Sequence, residues 1–279
     1  ATHMDYFVWF LKSNNETILV DTGFNAEAAR ARNRTFLRCP IESLKTAGVH
    51  LEDIHDTIIT HAHYDHAGNT RLLPKTRFHL QEREMHYATG KEMRHAFCRH
   101  AYDPSDVCDL VYANFEERVA FQEGAFELRS GITVHWVGGH TQGLQIVRVH
   151  TKRGWIVLAS DATHYLENIR KRSPFPIVVN TADMLNGYDL MARAGRYKPN
   201  KGKFLHILGG DFVLAETVAS HLARNGIADA QTTDEINALL EEKPQWLITE
   251  RENFQSVLIE ERRLKALRAE KADKDSTAA

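Results

Sequence analysis

The chain has 279 residues, with Lys+Arg 35 against Asp+Glu 37 and a formal net charge of -2. That length suffices for one large domain, or a domain with an appendage, that buries most of its apolar surface. The charge balance leaves no bulk positive field to attract nucleic acid or an anionic membrane, so a small or neutral substrate is favoured. Cys39, Cys98 and Cys108 stand at irregular spacing with no C-x-x-C. They indicate neither a disulfide framework nor a thiolate zinc knuckle, but ordinary thiols in a reducing compartment. No apolar run approaches the roughly 18 residues of a membrane span. The start has neither a basic n-region nor a cleavage site, so the expectation is a soluble, cytoplasmic protein. It also has no Met at position 1 and enters a strand-like run at once, which leads us to expect missing residues upstream.

"DYFVWFLK", "SNNE" and "TILVDTG" read as two apolar runs joined by a polar turn, a β-hairpin. Helical patterns follow at 26–34 and 40–47, with Pro40 suited to a first turn. "DTIIT" is a β-branched strand running straight into a histidine cluster. "TRFHLQ" reads as a short strand and "EREMHYATGKEM" as a helix. "FELRSGITVHWVGG" reads as two strands around a Gly turn. "LQIVRVHTKRGWIVLASD" is a hairpin whose second strand ends at Asp161. A helix is expected from Thr181 and a last strand at "KFLHIL". This order predicts an α+β fold with sheets sandwiched by helices. Beyond about Val213 the pattern is helical only, fraying into a charged, Ala-rich tail. The expected division is therefore 1–212 and a helical extension, 213–279.

The histidine cluster is "THAHYDHAGN", residues 60–69, in a chain with 16 histidines. Side chains at a strand end project from a rigid frame into a shared cleft. Alternate spacing lets His61 and His63 address one ion, while Asp65 and His66 turn toward a second. Neutral imidazole and carboxylate suit zinc, and also manganese, iron or cobalt. A third ligand for the first ion must come from another strand end, and "VGGHTQG" offers His140. "VLASDATHY" supplies Asp161, a carboxylate that can bridge two metals. His95, His100, His135 and His150 read as exposed or strand-face residues, and "GKEMRHAFCRH" as a solvated face or a lid over the cleft.

"THAHYDHAGN", "GGHTQG" and "SDATHY" in this order, preceded by "VDTG", resemble the metallo-β-lactamase superfamily. Within it the run "SDATHYLENIRKRSPFPIVVNTADMLNGYDLM" is most similar to the N-acyl homoserine lactonase branch, and the resemblance covers about residues 6–211. It implies an αββα sandwich, here lacking the first strand. It also implies His61, His63 and His140 on one metal, Asp65 and His66 on the other, and Asp161 bridging. Members close the second site with a His in a late P-G-H-D turn. The matching stretch here is "HILGGDFVL", with no His between Gly210 and Asp211, so Asp211 or His206 substitutes or the second site is weak. Related lactonases place a Tyr three residues after the bridging Asp to donate to the substrate carbonyl. Here that slot holds His164, followed by Tyr165.

The implied chemistry is quorum-quenching hydrolysis: attack of a metal-bound hydroxide on the carbonyl of an N-acyl homoserine lactone-like substrate, with Asp65 orienting the nucleophile and shuttling its proton. Fold does not fix substrate, so a thioester, β-lactam or phosphodiester hydrolase is one alternative. A catalytically impaired metal-binding remnant is the other, favoured by the absent late His.

Overall fold

The computed structural model describes residues 6–13, 16–151 and 154–194. β1 (Trp9–Lys12) and β2 (Thr17–Val20) pair antiparallel, as the hairpin pattern requires. α1 (Ala26–Ala31) starts at Asn25, whose side chain accepts from the Ala28 N–H. It ends short of residue 34 because Asn33 turns left-handed at φ 52°. α2 (Pro40–Ser43) opens on its proline and tightens into a 3-10 turn, Leu44–Ala47. β3 (Ile54–Ile58) lies two residues ahead of "DTIIT", and α3 (Tyr64–Ala67) is a single turn inside the histidine cluster. β4 (Arg77–Gln81) runs into α4 (Glu82–Ala88), and the helix expected to continue to 93 breaks at Gly90 before a 3-10 turn, Lys91–Arg94.

α5 (Ala96–Arg99) is short. α6 (Pro104–Phe115) and β5 (Val119–Gln122) fall where the sequence reading placed no element. The start of α6 nevertheless carries a standard signal: Asp103 accepts from the Ser105 N–H, and Pro104 sits in the first turn. β6 (Phe126–Arg129), β7 (Ile132–Trp136), β8 (Gln145–Thr151) and β9 (Gly154–Leu158) follow in the expected order. β9 stops at Leu158 rather than Asp161, because Ser160 adopts φ 46° and turns the chain out of the sheet. α7 (Leu166–Lys171) and α8 (Thr181–Ala194) complete the described fold. The strand expected at "KFLHIL" and the helices beyond Val213 lie outside the described residues.

Five strands form one sheet in the order β1-β2-β3-β4-β5, parallel from β2 to β5; β6-β7-β8-β9 form an antiparallel second sheet. Alternation along each strand builds the layers. Ile18, Val20 and Ile58 of the first sheet meet Val134, Val147, Val149 and Leu158 of the second in one apolar cluster. Leu19 points the other way, into a cluster that includes Val107 and Leu110 of α6. Ile146 and Val157 turn outward against Met184, Tyr188 and Met191 of α8. The result is a helix–sheet–sheet–helix sandwich. Among the described residues no helix is long and apolar enough to cross a membrane.

One end of the sandwich is joined by polar groups instead. Gln145, fully buried, donates from its side chain to the carbonyls of Ile59 and His79 at 2.8 and 3.0 Å. Its backbone N–H donates to Thr60, and its side-chain oxygen accepts from Gln81. This clamp of the second sheet onto the first sits where β3 ends and the histidine cluster begins.

Asp106 of α6 is 2 % exposed, and its Oδ2 is buried without a hydrogen-bond partner. Burial pushes its carboxyl up to about 7; Asp103 and Asp109 add to this, and Arg71 and Arg32 oppose it. Its folded pKa exceeds its unfolded one, so the native state binds the extra proton between about pH 4 and pH 7, and stability falls as pH rises through that window. Asp106→Asn, uncharged throughout, should therefore gain in thermal midpoint relative to the unmodified chain between pH 4 and pH 8. A difference in midpoint that stays constant across that range would overturn the assignment.

Candidate metal centre

Four strand ends meet at the clamped edge. β2 and β3 run parallel, as do β7 and β9 through β8 between them, so their C-terminal ends share one side of each sheet. β2 delivers Asp21, β3 delivers His61 and His63, β7 leads to His140 and β9 to Asp161. The His140 turn depends on Gly139, whose φ is 86° and where a Cβ would meet the backbone of Met184 at 2.6 Å.

Hydrogen bonds behind the rings decide which nitrogen of each histidine carries its proton. Asp21, fully buried, accepts from the Thr60 N–H at 2.7 Å, the Thr60 hydroxyl at 2.8 Å and His66 Nδ1 at 2.8 Å. The Thr60 hydroxyl proton is thereby committed, so Thr60 Oγ1 can only accept from His61 Nδ1, 3.2 Å away. His140 Nδ1 donates to the Ile177 carbonyl at 2.8 Å. In the neutral rings of His61, His66 and His140 the Nε2 lone pairs consequently all face forward.

They face one another. His63 Nδ1 lies 3.1 Å from His61 Nε2 and 3.0 Å from His140 Nε2. Asp161 Oδ2 lies 3.2 Å from His140 Nε2, 3.6 Å from His66 Nε2 and 3.8 Å from His61 Nε2. Asp65, 14 % exposed in its side chain, reaches His66 Nε2 at 3.7 Å. Two lone pairs and one ring nitrogen, with at most a single proton to share, form a poor hydrogen-bond network and a good cation site. Donors on a tetrahedral ion with bonds of about 2.0–2.1 Å stand about 3.3 Å apart, close to these separations.

Titration behaviour agrees with this geometry at His61 and His63 and sets His66 apart. Burial, reinforced by the neighbouring rings, drives His61 and His63 well below the ordinary imidazole range, which keeps them neutral. His66 goes the other way: burial disfavours its charge, but Asp21, Asp65 and Asp161 hold its pKa well above the usual value. Burial would raise Asp161, yet His66 and His140 keep its carboxyl well below the carboxylate range. Burial pushes Asp65 upward, with His66 pulling against this and Asp161 adding to it. The set fits a divalent ion of the zinc type, which would take neutral imidazole at His61 and His63 and ionised carboxylate at Asp161, and would replace the proton that the surrounding carboxylates hold on His66.

Five of the six residues expected as ligands, His61, His63, His66, His140 and Asp161, fall in overlapping ligand groups, whereas Asp65 stands outside them at 3.7 Å from His66 Nε2, so the sorting is less clean than expected. His61, His63 and His140 make one group, and His61 also groups with His66 and Asp161. His164 joins a third group with His140 and Asp161; its Nε2 is 3.3 Å from Asp161 Oδ2, and its ring stacks on Phe175 at 4.2 Å. Tyr165 caps α7 instead, its N–H donating to Asn168 Oδ1 at 2.9 Å. His95, His100 and His150 are exposed and His135 half-buried, outside the cluster. The segment "GKEMRHAFCRH" is tied to the site at its far end, where the Ala101 carbonyl accepts from the Tyr64 N–H and the Tyr102 ring stands edge-on to His63. Cys39, Cys98 and Cys108 are free thiols. His206 and Asp211, the substitutes considered for the late ligand, lie outside the described residues.

Sequence reasoning assigned no role to Asp21, Thr60 or Ser160, whose hydroxyl sits 2.8 Å from Thr60 Oγ1. Asp21 carries a signal in hindsight, as an acid ending a buried strand, like Asp161. Its φ of 62° adds strain that short polar side chains tolerate better than others.

The family model of the metallo-beta-lactamase superfamily matches residues 3–199, and the chain belongs to that superfamily. This span ends before His206 and Asp211. A second model, a family of unknown function (DUF5997), matches residues 214–263. An N-acyl homoserine lactonase from Bacillus sp. is 28% identical over 189 residues, 62% of this chain and 70% of that relative. Among solved structures, a quorum-quenching N-acyl homoserine lactone lactonase superposes with a TM-score of 0.57 at 24% identity, covering 67% of this chain and 73% of that one. A dizinc quorum-quenching lactonase in complex with its product gives 0.52 at 17% identity, covering 66% of each. At these identities the solved structures speak to the fold.

Asp21→Asn keeps the shape but cannot accept from all three donors. Losing such an outer partner weakens metal binding about 10–100-fold. Competition against a chromophoric chelator should show that loss, and an unaltered affinity would remove Asp21 from the machinery.

Proposed function

We propose that this chain is a metal-dependent hydrolase that opens the ring of an N-acyl homoserine lactone-like substrate. The observation that carries the reading is the convergence of three oriented Nε2 lone pairs with His63 and Asp161 in a buried strand-end cleft. Similarity to N-acyl homoserine lactonases supports the substrate class. His61, His63 and His140 would hold one ion, Asp65 and His66 a second, with Asp161 between them, zinc foremost and manganese, iron or cobalt as alternatives. Ions bound there would supply Lewis-acid polarisation of the carbonyl and an acidified water.

The side chains supply position and proton handling. Asp65, at the rim of the cluster, orients the attacking water and accepts its proton. His164 faces the Asp161 carboxylate through Nε2, and its Nδ1 is buried without a partner, so the ring proton belongs on Nε2. In this reading that N–H turns from the Asp161 carboxylate to donate to the substrate carbonyl oxygen as negative charge develops. Water oxygen bonds to the carbonyl carbon, the ring C–O bond breaks, and the proton leaves on the new hydroxyl. No serine or cysteine nucleophile is required.

Residues 1–212 form the catalytic unit in this reading, and 213–279 a separate helical extension. The partner is a small molecule, not nucleic acid, and the free thiols support a reducing, cytoplasmic compartment. The impaired-remnant reading draws on one specific observation: "HILGGDFVL" has no His between Gly210 and Asp211.

Metal stripping by chelator should abolish hydrolysis of N-hexanoyl homoserine lactone, measured by pH-stat, and zinc, manganese or iron should restore it. A serine-directed covalent reagent should have no effect. Full turnover in excess chelator would overturn the mechanism, and preferential turnover of a β-lactam, thioester or phosphodiester would overturn the substrate class.

Metal titration of the full chain should give unequal occupancy, because each missing ligand weakens a site that competes with water. The first equivalent should bind tightly through His61, His63 and His140, and His63→Ala should remove it. The second should need excess metal. Two equally tight equivalents would show that another residue, such as His206 or Asp211, has filled the vacant place.

A further inference from the structure

Glu84 lies in the first turn of α4, is fully buried, and belongs to none of the ligand groups. Its Oε1 accepts from the Ala62 N–H at 3.0 Å and the Tyr102 hydroxyl at 2.9 Å. Its Oε2 accepts from the Thr141 hydroxyl at 2.6 Å and the Gly143 N–H at 2.8 Å. Ala62 sits between His61 and His63, Tyr102 packs edge-on against the His63 ring, and Thr141 directly follows His140. The first oxygen therefore holds the loop with two of the three imidazoles, and the second holds the loop with the third. The approach is close enough to demand glycine at 143, where a Cβ would collide with the backbone nitrogen and Cβ of Glu84.

We propose that Glu84 is a positioning residue of the metal centre, its carboxylate joining the His61/His63 loop to the His140 loop and so setting the separation of the three imidazoles. The inference rests on the metal-centre reading above. Only an ionised carboxylate suits this position, because all four neighbours are donors and a carboxylate has no proton to set against them. Glutamine has the same shape, but its amide would face two donors with two hydrogens of its own. One loop or the other is then released, and ligands that must converge within a few tenths of an ångström lose their register.

The test uses the full chain and cobalt or zinc as the probe. Competition with a chromophoric chelator should show first-equivalent affinity lowered about 10–100-fold in Glu84→Gln. Thr141→Val, which removes a single donor, should show a smaller loss. Leu110→Ala, a core truncation in α6 that takes part in none of these hydrogen bonds, serves as the stability control. It should lower the thermal midpoint and leave metal affinity unchanged. Equal affinity in Glu84→Gln and the unmodified chain would overturn the proposal, as would a loss in Leu110→Ala matching that in Glu84→Gln. If Glu84→Gln does not fold, Thr141→Val decides alone: weakened binding upholds the proposal and unchanged binding overturns it. An unmodified chain that takes up no metal would instead sink the reading of the site itself, and this inference with it.

Discussion

The Asp21 carboxylate, accepting at once from the Thr60 backbone, the Thr60 hydroxyl and His66, is the contact on which the rest of the centre depends. Buried imidazoles can present lone pairs to a common point only if something behind them takes the opposite proton. Asp21 does this directly for His66 and, through the committed Thr60 hydroxyl, indirectly for His61. The Ile177 carbonyl does it for His140. A left-handed backbone at Asp21 places the carboxylate there, a local cost accepted in exchange for fixed tautomers at the front.

Two kinds of cohesion meet at this edge. Between the sheets, aliphatic side chains of alternating register supply non-directional burial. At the strand ends directional hydrogen bonds take over, through Gln145, Asp21 and Glu84. Apolar packing tolerates small slips of one sheet across the other, whereas a fully engaged carboxylate or amide does not. The layers thus bring the ligand loops near one another, and the polar contacts bring them into register.

The ligands were legible in the sequence because their types and spacing are improbable: three histidines and an aspartate within His61–His66, then His140 and Asp161 where apolar runs end. Their supports were far less legible. Glu84 stands in "EREMHYA", a stretch that reads simply as a helix, and only the fold brings its partners from 22, 18, 57 and 59 residues away. Helix α6 is marked in the sequence only at its start, by Asp103 and Pro104. β5 is a four-residue edge strand whose pairing with β4 is its main support. β9 is shorter than its apolar run suggests because no local pattern announces the left-handed turn at Ser160.

The Gln145 clamp has a practical side. It ties the two sheets together where β2, β3, β7 and β9 end, so the paired strand ends Lys12 and Thr17, and Thr151 and Gly154, stand at the opposite end of the sandwich. A peptide tag or a fluorophore attached at these strand ends would stand a full strand length from the ligands. These are the places to attach a reporter without touching the chemistry.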